Sequence, residues 1–214
     1  VQTISSSIYE TPPIDLTSCY PDGPTKAFGH GKSGAYIFLV NTPEGQRIVK
    51  YYHDAYKPSS NPMEQRDNAI NNVRPFREVL TLSALSDMDG FSKVYRVNIA
   101  HTPIAWFRKL KLPLPKTNTT CGLIIEMSLA PGEPLNQIDL SQFNDDKLRA
   151  IGFRILHLLS SAQRILGTSF RHNDLHPGNI IINPKKSVRT IIHLNDNTTV
   201  CFKGPQVTII DFDL

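Results

Sequence analysis

Apolar and polar positions along the chain alternate between two periods. Ala35-Tyr36-Ile37-Phe38-Leu39-Val40 and Ile48-Val49-Lys50-Tyr51-Tyr52 are runs rich in β-branched and aromatic residues, parted by Asn41-Thr42-Pro43-Glu44-Gly45. Runs of this composition bounded by turn formers predict strands joined by a tight turn. With residues 26–34 ahead of them they predict a three-strand antiparallel system over 26–52. From Arg74 to Leu85 the period lengthens: Phe76, Val79, Leu82 and Leu85 recur at helical spacing, with Pro75 in the first turn. Strand-like segments follow at 91–107 and 121–129. Between them the basic, proline-broken stretch 108–120 reads as an exposed loop, as does 57–68.

After the punctuation of residues 130–135 the pattern changes again. Leu148, Ile151, Ile155, Leu158, Leu159, Ala162 and Ile165 mark one long, mostly buried helix over 145–166, with Asn144 as N-cap and Asp145 and Asp146 at the positive end of its dipole. A short strand at 179–183, a hairpin over 189–203 turning at 195–197, and a strand at 206–210 ending in Asp211 complete the chain. The proline-bearing residues 1–25 read as an irregular lead-in. The expected organisation is α+β: 1–25 lead-in, 26–127 an antiparallel sheet with one helix, and 128–214 a second, mainly helical part.

Composition narrows the class. The chain has 214 residues, 40% hydrophobic and 20% charged, which suits a cored globular protein. No apolar run approaches the roughly 18 residues that span a bilayer, and the first ten residues lack a signal core, so membrane insertion and secretion are not expected. Cys19, Cys121 and Cys201 are odd in number and widely spaced, and read as reduced thiols of an intracellular protein. The sequons at Asn118 and Asn197 are then chance matches. A net charge of +4 suits a phosphorylated ligand and does not call for nucleic acid. The basic loop at 108–120 is better read as solvated than as an RNA contact.

Residues 26–40 carry two phosphate-binding signatures: Gly31-Lys32-Ser33, the tail of a Walker loop, and Gly29-x-Gly31-x-x-Gly34. A Walker loop needs a glycine where Lys26 stands and must open a helix, whereas a strand follows here. The second signature remains, a glycine flap whose backbone amides approach phosphates. Further on, Asp174 and Asn179 share a loop containing glycine and proline, and a strand delivers Asp211. Phosphoryl transfer needs a carboxylate beside the acceptor hydroxyl, oxygen ligands for Mg²⁺ and a cation on the nucleotide phosphates. Asp174 fits the first role, Asn179 and Asp211 the second, and Lys50 the third. Glu78, on the inner side of its helix, is the expected partner of Lys50, with Glu64 as rival. Singly each has a plainer reading as a strand-edge lysine, a surface glutamate or a turn former. Their joint order is what points to a kinase.

From Gly29 to Asp211 the chain resembles protein kinases. HNDLHPGN (172–179) resembles the kinase catalytic loop, and DFDL (211–214) the metal-binding DFG. The hairpin inserted before QVTIID, the catalytic loop and the missing DFG glycine are similar to haspin-type kinases. The DFD itself is similar to poxviral virion kinases. The resemblance implies a two-lobed fold with a hinge near 126–132, and ATP and Mg²⁺ as cofactors. It implies adenine binding by backbone groups of Glu126, Met127, Ser128 and Leu129, with either Ile125 or Met127 at the back of the pocket. It also implies serine or threonine phosphorylation of a protein, a histone-tail threonine being the family's expected target, and a nuclear site for a haspin-like enzyme or a viral factory for a poxviral one. Asn173, His176 and Asp213 stand where many kinases have arginine, lysine and glycine, which puts in doubt control by activation-loop phosphorylation and the usual DFG flip. The rivals are a small-molecule kinase of choline or aminoglycoside type, whose loops also read HND, and a non-catalytic pseudokinase binding module. A kinase lobe of ordinary size would continue on the order of 80–120 residues past Leu214.

Overall fold

The structure is a computed structural model that describes residues 12–30, 35–53, 73–115, 120–195 and 198–212. The chain divides into two compact units, 1–83 with 93–129, and 84–92 with 130–214. The expected loop at 57–68, Glu64, Lys32, Ser33, both sequon asparagines and Asp213 lie outside the described residues.

The first unit is built on a five-stranded antiparallel sheet. In chain order its elements are α1 (Leu16–Cys19), β1 (Pro24–His30), β2 (Tyr36–Thr42), β3 (Gly45–Tyr52), α2 (Val73–Leu85), β4 (Val94–His101), α3 (Ile104–Lys109) and β5 (Cys121–Ser128). The strand order is β1-β2-β3-β5-β4. The β2–β3 register pairs Tyr36 with Tyr51, Phe38 with Val49 and Val40 with Arg47. Alternate residues therefore share a face. One face is aromatic: Tyr36, Phe38, Val49, Tyr51 and Ile124 form a buried cluster with Leu16, Trp106 and Phe107. Phe38 meets Trp106 and Phe107 edge-on, with ring centroids 5.3 and 5.7 Å apart, a geometry favoured by the ring quadrupoles. The opposite face carries Lys50 and Tyr52.

Three expectations change here. Residues 104–107 are helical, not a strand. Pro103, which lacks a donor, precedes the turn, and the adjacent Trp106 and Phe107 both enter the core; in a strand they would point to opposite faces. The lead-in is also only partly irregular. Ile14 bridges to the sheet edge through Ile14 N–H to Ile99 O and His101 N–H to Ile14 O, both 2.9 Å. Asp15 caps α1 by accepting Thr17 N–H at 2.9 Å, and Leu16 is fully buried. In the basic stretch after α3, Leu110 and Leu112 pack against the aromatic cluster, so that stretch is not simply an exposed loop.

The second unit contains β6 (Glu133–Pro134), α4 (Asp145–Leu166), β7 (Ile180–Asn195) and β8 (Thr198–Ile209), with short 3-10 turns at Leu135–Gln137, Leu140–Gln142 and Pro177–Asn179. Its sheet runs β6-β7-β8, all antiparallel. Gly132 enters it at φ +120°, where an added Cβ would lie 2.2 Å from the carbonyl oxygen of Ile182; only glycine fits. The expected strand, hairpin and strand of 179–210 are one long hairpin, because the ladder resumes after an irregularity between Asn183 and Ser187. The described part of this unit is thus not mainly helical. The helix α4 has its expected bounds, and Asn144 Oδ1 accepts Lys147 N–H at 3.0 Å. It is not mostly buried: Ala150, Ile151, Arg154, Leu158, Ser161 and Ala162 face inward, while Leu156 and Ile165 are 63% and 52% exposed. A Cβ on Gly204 of β8 would lie 2.6 Å from that of Ala150, the mark of close helix–strand approach. No described helix is long and apolar enough to cross a membrane.

Trp106, 2% exposed, is the largest fully buried side chain among the described residues, and it closes the aromatic face. Trp106→Ala is expected to lower the unfolding free energy of the first unit by about 3–5 kcal/mol, read from urea denaturation followed by circular dichroism.

Candidate active site

Each unit holds one group of candidate residues. In the first, Lys50 lies on β3, paired with Ile37 and Ile125 of the neighbouring strands, and is only 5% exposed. A lysine buried this far needs a partner. Its Nζ donates to Glu78 Oε1 at 2.5 Å, and Glu78, on α2, is itself 4% exposed. The expected pair is therefore formed. The second oxygen of Glu78 accepts the hydroxyl of Tyr52, two residues beyond Lys50 on the same strand face. Sequence reasoning passed over Tyr52. The signal was its period-2 spacing from Lys50 on a strand whose neighbouring helix had to supply a carboxylate.

The glycine signature is only partly visible. Gly29 falls in β1 within a register irregularity between Ala27 and His30; Gly31 and Gly34 lie outside the described residues. The segment expected to face adenine, Glu126 to Leu129, lies at the end of β5. Glu126 is 1% exposed and turns its side chain to the aromatic face, where it binds Arg47 and has Arg96 Nε at 3.4 Å. Burial, then Glu126, raises the Tyr20 hydroxyl's pKa beside it. Met127 pairs with Ile48 and Val94 within the ladder, and Ser128 N–H is already bonded to Lys93 O at 2.8 Å. Of the segment's backbone groups, the Ser128 N–H is thus already occupied. Leu129 lies just past the strand.

In the second unit, the loop after α4 places Asp174 and Asn179 together. Asp174 N–H bonds His172 O at 2.8 Å across Asn173, whose φ is +58°. Asparagine tolerates this left-handed backbone better than most residues. His176 caps the Pro177–Asn179 turn: its Nδ1 accepts Gly178 N–H at 3.0 Å, so the ring proton sits on Nε2, 3.6 Å from Asp174 Oδ2. Asn179 gives its amide N–H bonds to Asp174, at 3.0 Å to the carbonyl and 3.5 Å to Oδ2. With the amide nitrogen so engaged, Oδ1 is the atom of Asn179 that could serve as an oxygen ligand. Asp211 sits beside it because Ile180 pairs with Ile209 and Ile210 N–H bonds Asn179 O at 3.0 Å. Its φ of +61° is a strained conformation for a non-glycine residue.

Hard oxygen donors from Asn179 and Asp211 on adjacent strand ends fit Mg²⁺, which takes one or two protein oxygens and completes its shell with phosphates and water. Among the described residues no three His, Cys, Asp or Glu side chains form a metal cage.

Two supporting residues were not foreseen. Phe212, 1% exposed, anchors Asp211 by packing on His172 at 4.6 Å and on Phe91 and Phe170 at 5.7 and 6.0 Å. His172 donates from Nε2 to Ile210 O at 3.1 Å. Both hold the strand that presents Asp211.

The family model of the ABC1 atypical kinase-like domain matches residues 92–212, more than half of the chain. The chain belongs to the ABC1 atypical kinase-like family. The match takes in Asp174, Asn179 and Asp211 and leaves Gly29, Lys50 and Glu78 outside it. Among curated proteins none matches the chain. The expected kinase-like class stands at this level, on an ABC1 match, where haspin-type and poxviral relatives were expected. The mixed α+β architecture with antiparallel sheets agrees with a kinase-like domain.

Burial lowers the pKa of His172 from the ordinary 6.5, against a smaller opposing effect of its bond to Ile210 O. The unfolded chain therefore takes up the proton first, and this share of stability is whole above about pH 6.5 and is lost as pH falls below it. Urea midpoints at pH 7.5 and 5.5 should drop more for the wild type than for His172→Gln, which keeps a donor for Ile210 without titrating.

Proposed function

We propose that this ABC1 atypical kinase-like chain is an ATP-dependent phosphotransferase. The observation that carries the reading is the meeting of Asp174, Asn179 and Asp211 at the end of one hairpin. The Lys50–Glu78 pair adds the cation that a nucleotide site needs. Lys50 would bind the α and β phosphates, and Asn179 and Asp211 would hold Mg²⁺, which would supply charge neutralisation there. Asp174 orients the acceptor hydroxyl and accepts its proton as the bond from the γ-phosphorus to the bridging oxygen breaks and the new P–O bond forms, giving ADP and a phosphoester.

For the acceptor we favour a serine or threonine hydroxyl of a protein, on the haspin-like form of HNDLHPGN and the hairpin before Asp211, with a histone-tail threonine the first to try. The HND sequence gives the second reading, a small-molecule hydroxyl. A non-catalytic module is disfavoured, since the lysine, base and metal ligands are all present. Incubation with γ-labelled ATP and histones, other proteins, choline and aminoglycosides separates these. Asp174→Asn is expected to lower turnover about 10²–10⁴-fold while leaving ATP affinity nearly unchanged; Lys50→Ala should weaken both. Near wild-type turnover in Asp174→Asn would remove Asp174 from this role, and labelled choline alone would move the acceptor to small molecules.

A further inference from the structure

Glu78 offers two carboxylate oxygens, and both are engaged within the first unit, one by the Lys50 ammonium and the other by the Tyr52 hydroxyl. The three side chains are 4%, 5% and 3% exposed for Glu78, Lys50 and Tyr52. Lys50 and Tyr52 are two residues apart on β3, so they leave the sheet on one face with their Cα atoms about 7 Å apart. A carboxylate held at one oxygen can pivot about its last torsion. Held at both, from two points of one rigid strand, it cannot.

We propose that Tyr52 is a positioning residue for phosphoryl transfer: by holding one oxygen of Glu78 it keeps the other on Lys50 in a single geometry, and so fixes the ammonium for the nucleotide phosphates. This rests on the nucleotide-site reading given above. Without the hydroxyl, one oxygen of a buried carboxylate loses its donor, a costly state. The nearest remedy is for the carboxylate to turn both oxygens onto Lys50, drawing the ammonium toward α2 and away from the ligand. The phenol prevents this without adding charge. A second cation in its place would share Glu78 but would also compete for the phosphates.

The assignment separates phosphate positioning from general packing. Tyr52→Phe keeps the ring and removes only the hydroxyl. Calorimetry with the whole chain should show adenosine, which has no phosphates, bound as well by Tyr52→Phe as by the wild type, and Mg-ADP bound about tenfold more weakly, the loss typical of one hydrogen bond to a charged group. Turnover with saturating acceptor should show the same loss in the KM for ATP, and Tyr52→Phe placed on Glu78→Gln should add nothing further. Equal weakening of adenosine and Mg-ADP, unchanged Mg-ADP binding, full additivity with Glu78→Gln, or a Tyr52→Phe protein that no longer unfolds cooperatively would each overturn the role. Wild-type protein that binds neither ligand would overturn the nucleotide site itself, and the role of Tyr52 with it.

Discussion

The antiparallel pairing of Ile180 with Ile209 is the constraint on which the chemistry of the second unit depends. Asn179 and Asp211 are far apart in the chain and close in space only because this ladder ends where it does. One residue beyond the pair, Ile210 N–H closes on Asn179 O, and the chain on each side then leaves the sheet. On one side it becomes the loop that holds Asp174; on the other, Phe212 sinks into a socket of His172, Phe91 and Phe170. The strained φ of Asp211 is tolerated because the residues before and after it are both tied down. A packed ring and a ladder hydrogen bond thus determine where a carboxylate can stand.

Much of this could be read from the residues. The β2–β3 turn, the α2 periodicity and the Asn144 cap follow from local rules, because turn formers and helical spacing act over short stretches; for Lys50 the sequence left two candidate carboxylates, of which Glu78 forms the pair. The loop of residues 172–179 was legible for a different reason: Asp174, Gly178 and Asn179 lie within a few residues of one another, so their grouping shows in the spacing alone.

What escaped depends on tertiary context. Whether Trp106 and Phe107 extend a strand or turn a helix is decided by the aromatic face that receives both. That the Ser128 N–H is claimed by Lys93, a residue distant in sequence, could not be read from the segment itself. The apolar stripe on α4 is wider than the inward face it supplies, since periodicity reports which side is apolar and not how much of it meets a neighbour. Tyr52, His172 and Phe212 are ordinary core residues by composition. Their importance comes from the atoms they reach, and only for Tyr52 does spacing, two residues from Lys50, hint at it.

The buried Glu126 also bears on how the sheet assembles. Its neighbours on β5, Ile125 and Met127, point to the face that carries Lys50, whereas Glu126 points to Arg47 and Arg96. Shifting β5 by one residue would reverse every side chain, leaving the carboxylate away from both arginines and an aliphatic group pressed between two guanidinium ions. Such a misaligned sheet would strip both guanidinium groups of their carboxylate and move Glu126 to the face of Lys50, whose ammonium Glu78 already holds, so two carboxylates would share one cation. One acidic residue in an otherwise oily strand thus ties the register of β5 to the two arginines that receive it.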